Sequence, residues 1–243
     1  MAMLLNRSMG SRTLVSPLRT LTTTRSSSTN LLSQLQHQPV YQAYCPKSYH
    51  SSRTTSQTIF QTRAQSTTTS SKKMPLKVGD TIPSGTFSYI PYTPELSSPT
   101  VCGNAIDLKT DQWKGKKIVL FGVPGAFTKT CSANHLPAYV KKAGELKSKG
   151  ISGIYCIASN DAFVMSGWGR LLGSNEHVEM ISDSTLKWLE EAGLTVDLSA
   201  HGLGKRGTRF ALVIDDLKVT YVGIEESPGS VSVSGVDAVL PKL

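Results

Sequence analysis

Lys116-Lys117-Ile118-Val119-Leu120-Phe121-Gly122-Val123 runs directly into Pro124-Gly125-Ala126-Phe127-Thr128-Lys129-Thr130-Cys131, and this junction decides the fold. The first eight residues hold a short apolar run of the kind that fills a strand covered on both faces, and Pro124-Gly125 ends it. Residues 132–149 then place Leu136, Tyr139, Val140, Ala143 and Leu146 at helical spacing, with Gly150 as the stop. Strand, tight loop and helix in that order put the Cys131 thiol at the mouth of a helix. There the unpaired amides and partial positive charge of the first turn favour a thiolate.

Working outward, the order of elements is that of an α/β protein. Residues 85–91 are strand-like, a Pro- and Ser-rich loop follows as far as Pro99, and a second strand-like stretch covers 101–108. After the central strand (117–123) and its helix come a buried strand (151–158), a helix (161–172) capped by Asn160 or Asp161, a strand (177–181) and a helix (184–192) closed by Gly193. A hairpin of 209–214 and 218–224 around Asp215-Asp216 completes the series. This alternation predicts a mixed central β-sheet flanked by helices.

Charge divides the chain unevenly. Residues 1–73 contain no acid and carry nine basic side chains, the whole of the formal net charge of +9. The rest holds as many basic as acidic groups, 17 of each, so the pI of about 9.4 comes from the leader and points to no nucleic-acid partner. Arg-rich, Ser/Thr-rich, acid-free sequence with scattered Leu reads as a mitochondrial matrix import leader, with a merely basic arm as the alternative. No apolar run in the sequence is long enough to span a bilayer, so no membrane partner is expected. Globular composition begins at Met74, which makes 74–243 the folded domain and leaves room for a second, cytosolic form starting there.

Four cysteines, at 45, 102, 131 and 156, form neither a CxxC pair nor a metal-ligand cluster. With Cys45 in the leader, three remain for a domain long enough to bury a core without staples, which suggests redox chemistry rather than a disulfide framework. Ionisation explains little by itself. Complete ionisation of an ordinary thiol at pH 7 gains at most about 30-fold, and the accompanying loss of nucleophilicity removes about tenfold of it. Groups that polarise the substrate and stabilise the leaving oxygen must supply the remainder.

Pro124, Thr128 and Cys131 match the Pro-x-x-x-Thr-x-x-Cys motif of the peroxiredoxins, and Pro-Gly-Ala-Phe-Thr through Cys-Ser-x-x-His-Leu-Pro resembles their type-5 branch. Asn160-Asp161-Ala162-Phe163-Val164-Met165, Trp168-Gly169, Ser182-Asp183 and the run from Arg209 to Asp215 extend the resemblance over residues 75–243. It implies a thioredoxin-like fold and a peroxidase that reduces hydrogen peroxide and organic hydroperoxides without metal, haem or flavin. Cys131 would be the peroxidatic thiolate. Thr128 would hydrogen-bond thiolate and peroxide, Pro124 would shelter the sulfenate from water, and Arg209 would polarise the peroxide, with Arg206 as the alternative arginine. Thr128 also suits a helix N-cap. His135, four residues after Cys131, raises the question of a Cys-His thiol hydrolase, although a packing role near the site reads better. Trp168 reads as wall or interface packing.

A sulfenic acid is recycled by condensing with a thiol. Some type-5 members carry that thiol in the C-terminal part, but here no cysteine follows Cys156, and Cys156 lies in an apolar strand as a core residue. Cys102 remains. The resemblance to fungal type-5 enzymes implies a homodimer in which Cys102 resolves Cys131 across subunits and thioredoxin reduces the disulfide. A 1-Cys enzyme recycled by glutathione or glutaredoxin is the nearest alternative, and a non-catalytic redox sensor or holdase a further one. A general disulfide oxidoreductase is disfavoured, since Thr128 stands where its second cysteine would be.

Overall fold

A computed structural model describes residues 73–243. The leader reading, apart from Lys73, and Cys45 fall outside the described residues. Seven strands form one mixed sheet in the order β2-β1-β5-β4-β3-β8-β9. They are β1 (Thr86–Tyr89), β2 (Ile106–Lys109), β3 (Lys117–Gly122), β4 (Gly153–Ala158), β5 (Glu179–Ser182), β8 (Phe210–Asp215) and β9 (Lys218–Ile224). β3 and β4 pair parallel, as do β4 and β5, and the other neighbours are antiparallel. β6 (Thr195–Asp197) and β7 (Lys205–Gly207) make a separate two-stranded ribbon.

Strand periodicity sorts the core into two layers. Val119, Phe121 and Val123, with Cys156, Ala158, Ala211 and Val213, face a cluster built from Leu136, Tyr139, Ala143, Leu146, Met165 and Trp168. Ile118 and Leu120, with Ile157, Phe210, Leu212 and Ile214, face the opposite cluster around Phe87, Trp113, Trp188 and Leu189. Helices therefore cover both faces: α1 (Leu136–Lys141), α2 (Ala143–Ser148), α3 (Ala162–Leu171) and α5 (Val236–Val239) on one, α4 (Lys187–Glu191) on the other. This is the mixed sheet flanked by helices that the element order predicts, in the thioredoxin-like arrangement that the resemblance implies.

The differences are local and have physical causes. The single helix expected over 132–149 is split at Lys142, and its start at Cys131–His135 is wound as a π-turn in which the Leu136 N–H donates to Cys131 O. Pro137 has no N–H with which to continue the ordinary ladder, so the wider turn absorbs the gap. Cys102 lies in irregular chain, because β2 starts only at Ile106. The hairpin tip sits one residue later than expected, at Asp216-Leu217, both with positive φ. Asp161 is the α3 cap, its Oδ1 accepting from the Phe163 and Val164 amides, while Asn160 is used elsewhere. β6, β7 and α5 are too short to leave a periodic pattern.

Candidate active site

The loop after β3 is held in shape before any chemistry is asked of it. Asn160 Oδ1 accepts from the Ala126 amide at 2.9 Å, and Ser182 Oγ donates to Asn160 O at 2.6 Å. Phe127 adopts a left-handed φ of 61° and is 58% exposed, an unfavourable conformation for a bulky residue that the surrounding contacts enforce. Pro124 is buried. Its carbonyl accepts from Arg206 Nη1 at 3.3 Å.

Cys131 sits in the first turn of the following helix with no exposed surface. From β8's edge, Arg209 reaches it: Nη2 donates to Cys131 Sγ at 3.3 Å. Arg209 is itself only 1% exposed, and its other two nitrogens are also engaged. Nε and Nη2 both donate to Pro228 O, at 3.1 and 2.7 Å, and Nη1 faces His135 Nδ1 at 3.1 Å. Of the two arginines weighed from sequence, Arg209 therefore lies on the thiol and Arg206 braces the loop.

His135 has one possible tautomer here. A guanidinium can only donate, so Nδ1 accepts, and Nε2 must donate to Ser234 O at 2.9 Å. Burial, and secondarily the Arg209 charge, pull its pKa from 6.5 down to about 4, while the Ser234 bond and Glu225 pull the other way. His135 is thus neutral near pH 7 with both nitrogens engaged. Neither nitrogen is free to deprotonate Cys131, which removes the thiol-hydrolase alternative. Tyr139, whose ring stacks on Phe121, donates to the same Ser234 carbonyl at 2.8 Å.

Two expectations about side chains need correction. Thr128 does not donate to Cys131 Sγ: its one hydroxyl proton goes to Gly125 O at 2.9 Å, so its lone pairs alone face outward chemistry. Nor does it cap the helix by its side chain, which leaves its backbone carbonyl, accepting from the Ser132 amide at 3.0 Å, as its helical contact. Trp168 is buried and donates from Nε1 to Ser132 Oγ at 3.0 Å, one residue from Cys131.

Cys102 and Cys131 are not brought together within the chain. Both are free thiols, one exposed and one buried. The Cys102 segment leads into the edge strand β2, four places from β3 in the sheet, and is pinned by Arg170 Nη1 donating to the carbonyls of Leu96 and Val101. Cys156 is fully buried in the same cluster as Cys131, and burial, reinforced by the nearby Cys131, pushes its thiol well above the ordinary value.

Sequence reasoning missed Glu225, Pro228, Ser232 and Ser234. A signal existed: serines at alternate positions after a strand-terminal Glu offer amides and hydroxyls to a carboxylate.

The Redoxin family model matches residues 77–240. A putative peroxiredoxin of Malassezia furfur is 45% identical over 168 residues, covering 69% of this chain and all of its own length. The chain belongs to the peroxiredoxin family. Peroxiredoxin-2B of Arabidopsis thaliana is 44% identical, covering 70% of this chain and 99% of the relative. Among solved structures, reduced Prx3 in complex with hydrogen peroxide from Vibrio vulnificus is 36% identical with a TM-score of 0.60, over 68% of this chain and 98% of that one. Peroxiredoxin 5 from Alvinella pompejana is 29% identical with a TM-score of 0.57, over 69% and 97%. This peroxiredoxin is accordingly a thiol-dependent peroxidase.

Proposed function

We propose that this peroxiredoxin is a type-5, fungal-like enzyme that reduces hydrogen peroxide and organic hydroperoxides through Cys131 as the peroxidatic thiolate. The observation that carries the proposal is the buried Arg209 Nη2 donating to Cys131 Sγ at 3.3 Å. The thiolate attacks one peroxide oxygen, the O–O bond breaks, sulfur is oxidised by two electrons to a sulfenic acid, and the departing alkoxide or hydroxide takes a proton. Arg209 stabilises charge on that leaving oxygen, where a fixed cation is worth most in a site closed to water. Pro124 walls the sulfenate from water, and Thr128, its proton committed to Gly125 O, accepts a hydrogen bond from the peroxide O–H.

Recycling follows through Cys102. Its thiol condenses with the sulfenic acid of the partner subunit, water leaves, and thioredoxin, a dithiol, reduces the Cys131–Cys102 disulfide. A buried sulfur can reach an external partner only if the first helical turn opens. The π-turn at Cys131–His135, already irregular beside Pro137, makes that turn cheap to unwind. Exposed Phe127 and Phe163 support a homodimer that covers them. The acid-free composition of residues 1–73 supports a cleavable leader and delivery to the mitochondrial matrix.

The test has two parts. With thioredoxin, thioredoxin reductase and NADPH, peroxide should produce steady NADPH loss, whereas loss only with glutathione and glutaredoxin would favour a 1-Cys cycle and no turnover at all a redox sensor. Non-reducing gels after one equivalent of peroxide should show a linked dimer that Cys102→Ser abolishes. A linked dimer persisting in that variant removes Cys102 from the cycle.

A further inference from the structure

Arg209 is aimed by a loop rather than by a counter-charge. Among the described residues no carboxylate forms an ion pair with it. Glu225 is nevertheless its neighbour across the β8–β9 pair, where the Glu225 N–H donates to Arg209 O at 2.9 Å. Its carboxylate is taken up instead by the serines that follow. Oε1 accepts from the Ser232 amide at 2.6 Å and from the Ser234 amide and hydroxyl, both at 2.8 Å, and Oε2 accepts from the Ser232 hydroxyl at 2.8 Å.

Four donors on one buried carboxylate close residues 225–234 into a compact loop. Burial alone would raise the Glu225 pKa, but these bonds outweigh it and hold the group at about 2, so it stays charged. The loop is pinned at its far end too: Tyr221 Oη donates to Val233 O at 2.7 Å, and a Cβ at Gly223 would run into that same carbonyl. Two backbone carbonyls of this loop then do the aiming. Pro228 O takes two bonds from the guanidinium, and Ser234 O takes the His135 proton that leaves Nδ1 free to accept from Arg209. Glu225 thus binds the loop's amides and hydroxyls, while Arg209 binds its Pro228 carbonyl directly and its Ser234 carbonyl through His135.

We propose that Glu225 is a positioning residue for the peroxide-activating guanidinium: it folds residues 225–234 so that the Pro228 and Ser234 carbonyls set Arg209 against Cys131. The inference rests on the peroxidase reading above. It also explains why the serines matter: saturated by them, the carboxylate cannot swing to Arg209 and neutralise the charge directed at sulfur.

The experiment is stopped-flow oxidation of the reduced full chain by hydrogen peroxide, followed by tryptophan fluorescence, in a double-mutant cycle. Glu225→Gln and Glu225→Ala should slow the second-order reaction by about tenfold or more, as small misplacements of a catalytic group do. In an Arg209→Lys background, which has already lost the guanidinium fork, the same changes should cost no more than about twofold. Glu226→Gln, on an exposed neighbour, should leave the rate unchanged. If the Glu225 variants do not fold, Ser232→Ala and Ser234→Ala, each removing one donor, carry the same cycle with smaller losses. An equal loss in both backgrounds, or no loss in either, overturns the inference. A wild-type chain that is slow with peroxide overturns the peroxidase reading itself, before any variant is made.

Discussion

Arg209→Lys separates a charge from a shape. At 3.3 Å, unit charges attract by about 5 kcal/mol at an effective dielectric of about 20, and an ammonium keeps most of that attraction if it reaches the sulfur. It cannot keep the geometry. Arg209 serves Pro228 O, His135 Nδ1 and Cys131 Sγ from three nitrogens of one rigid plane, whereas lysine presents one nitrogen on a flexible stem. At least one buried acceptor is left unpaired, which costs about 1–3 kcal/mol of folding stability. The misaimed donor removes about 3 kcal/mol of transition-state stabilisation, or roughly 10²-fold in rate. Stopped-flow oxidation by hydrogen peroxide measures this directly, and alkylation of Cys131 by iodoacetamide provides the comparison, since it needs a nucleophilic sulfur but no leaving-group stabilisation. Arg209→Lys should lose about two orders of magnitude with peroxide and only a few-fold with iodoacetamide. Equal losses in both reactions, or a peroxide rate close to wild type, would show that the fork does not act on the leaving oxygen.

Three further outcomes follow from the same contacts. His135 is held near 4 against 6.5 in the unfolded chain, so the unfolded state takes up a proton first: the stability is complete above pH 6.5 and about 3 kcal/mol of it is lost as pH falls to 4. Denaturant melts should therefore flatten across that window in His135→Gln; an unchanged slope would contradict the neutral tautomer. Glu225, held near 2, loses its contribution as pH falls through the ordinary carboxylate value of 4.5 towards 2, so the slope between pH 6.5 and about 5 isolates His135. Gly223→Ala drives a Cβ into Val233 O and should slow peroxide oxidation by displacing the loop, without touching any residue near the sulfur; a wild-type rate would uncouple loop from site. Cys156, buried with its thiol pushed well up, should resist native-state alkylation at pH 8 and label fully in denaturant, while exposed Cys102 labels at once. Native labelling of Cys156 at the rate of Cys102 would refute its burial.

The junction from Lys116 to Cys131 was readable because strand, breaker and helix each leave a strong local pattern, and the two-layer core follows from alternation along β3, β4 and β8. Arg209 was readable as a candidate, favoured over Arg206 by the Phe210 that follows it, and the fold distinguishes the two by sending one side chain to Sγ and the other to Pro124 O. The anchoring is harder to read. Glu225 acts through its carboxylate on amides and hydroxyls of its own loop, but Pro228 and Ser234 act through backbone carbonyls that no side-chain type marks as functional, and His135 lies 74 residues from Arg209 and 99 from Ser234. Thr128 shows the converse: the residue was found, but its hydroxyl proton goes to Gly125 O, three residues back.

The central claim is that peroxide meets Cys131 first. Reduced Cys102→Ser protein, treated with one equivalent of hydrogen peroxide in the presence of dimedone and digested for mass spectrometry, isolates that event from the step that follows it. The dimedone adduct should lie on Cys131, with Cys156 unmodified and with Cys131→Ser giving no adduct at all. An adduct on Cys156, or an adduct that survives Cys131→Ser, would place the peroxidatic sulfur elsewhere.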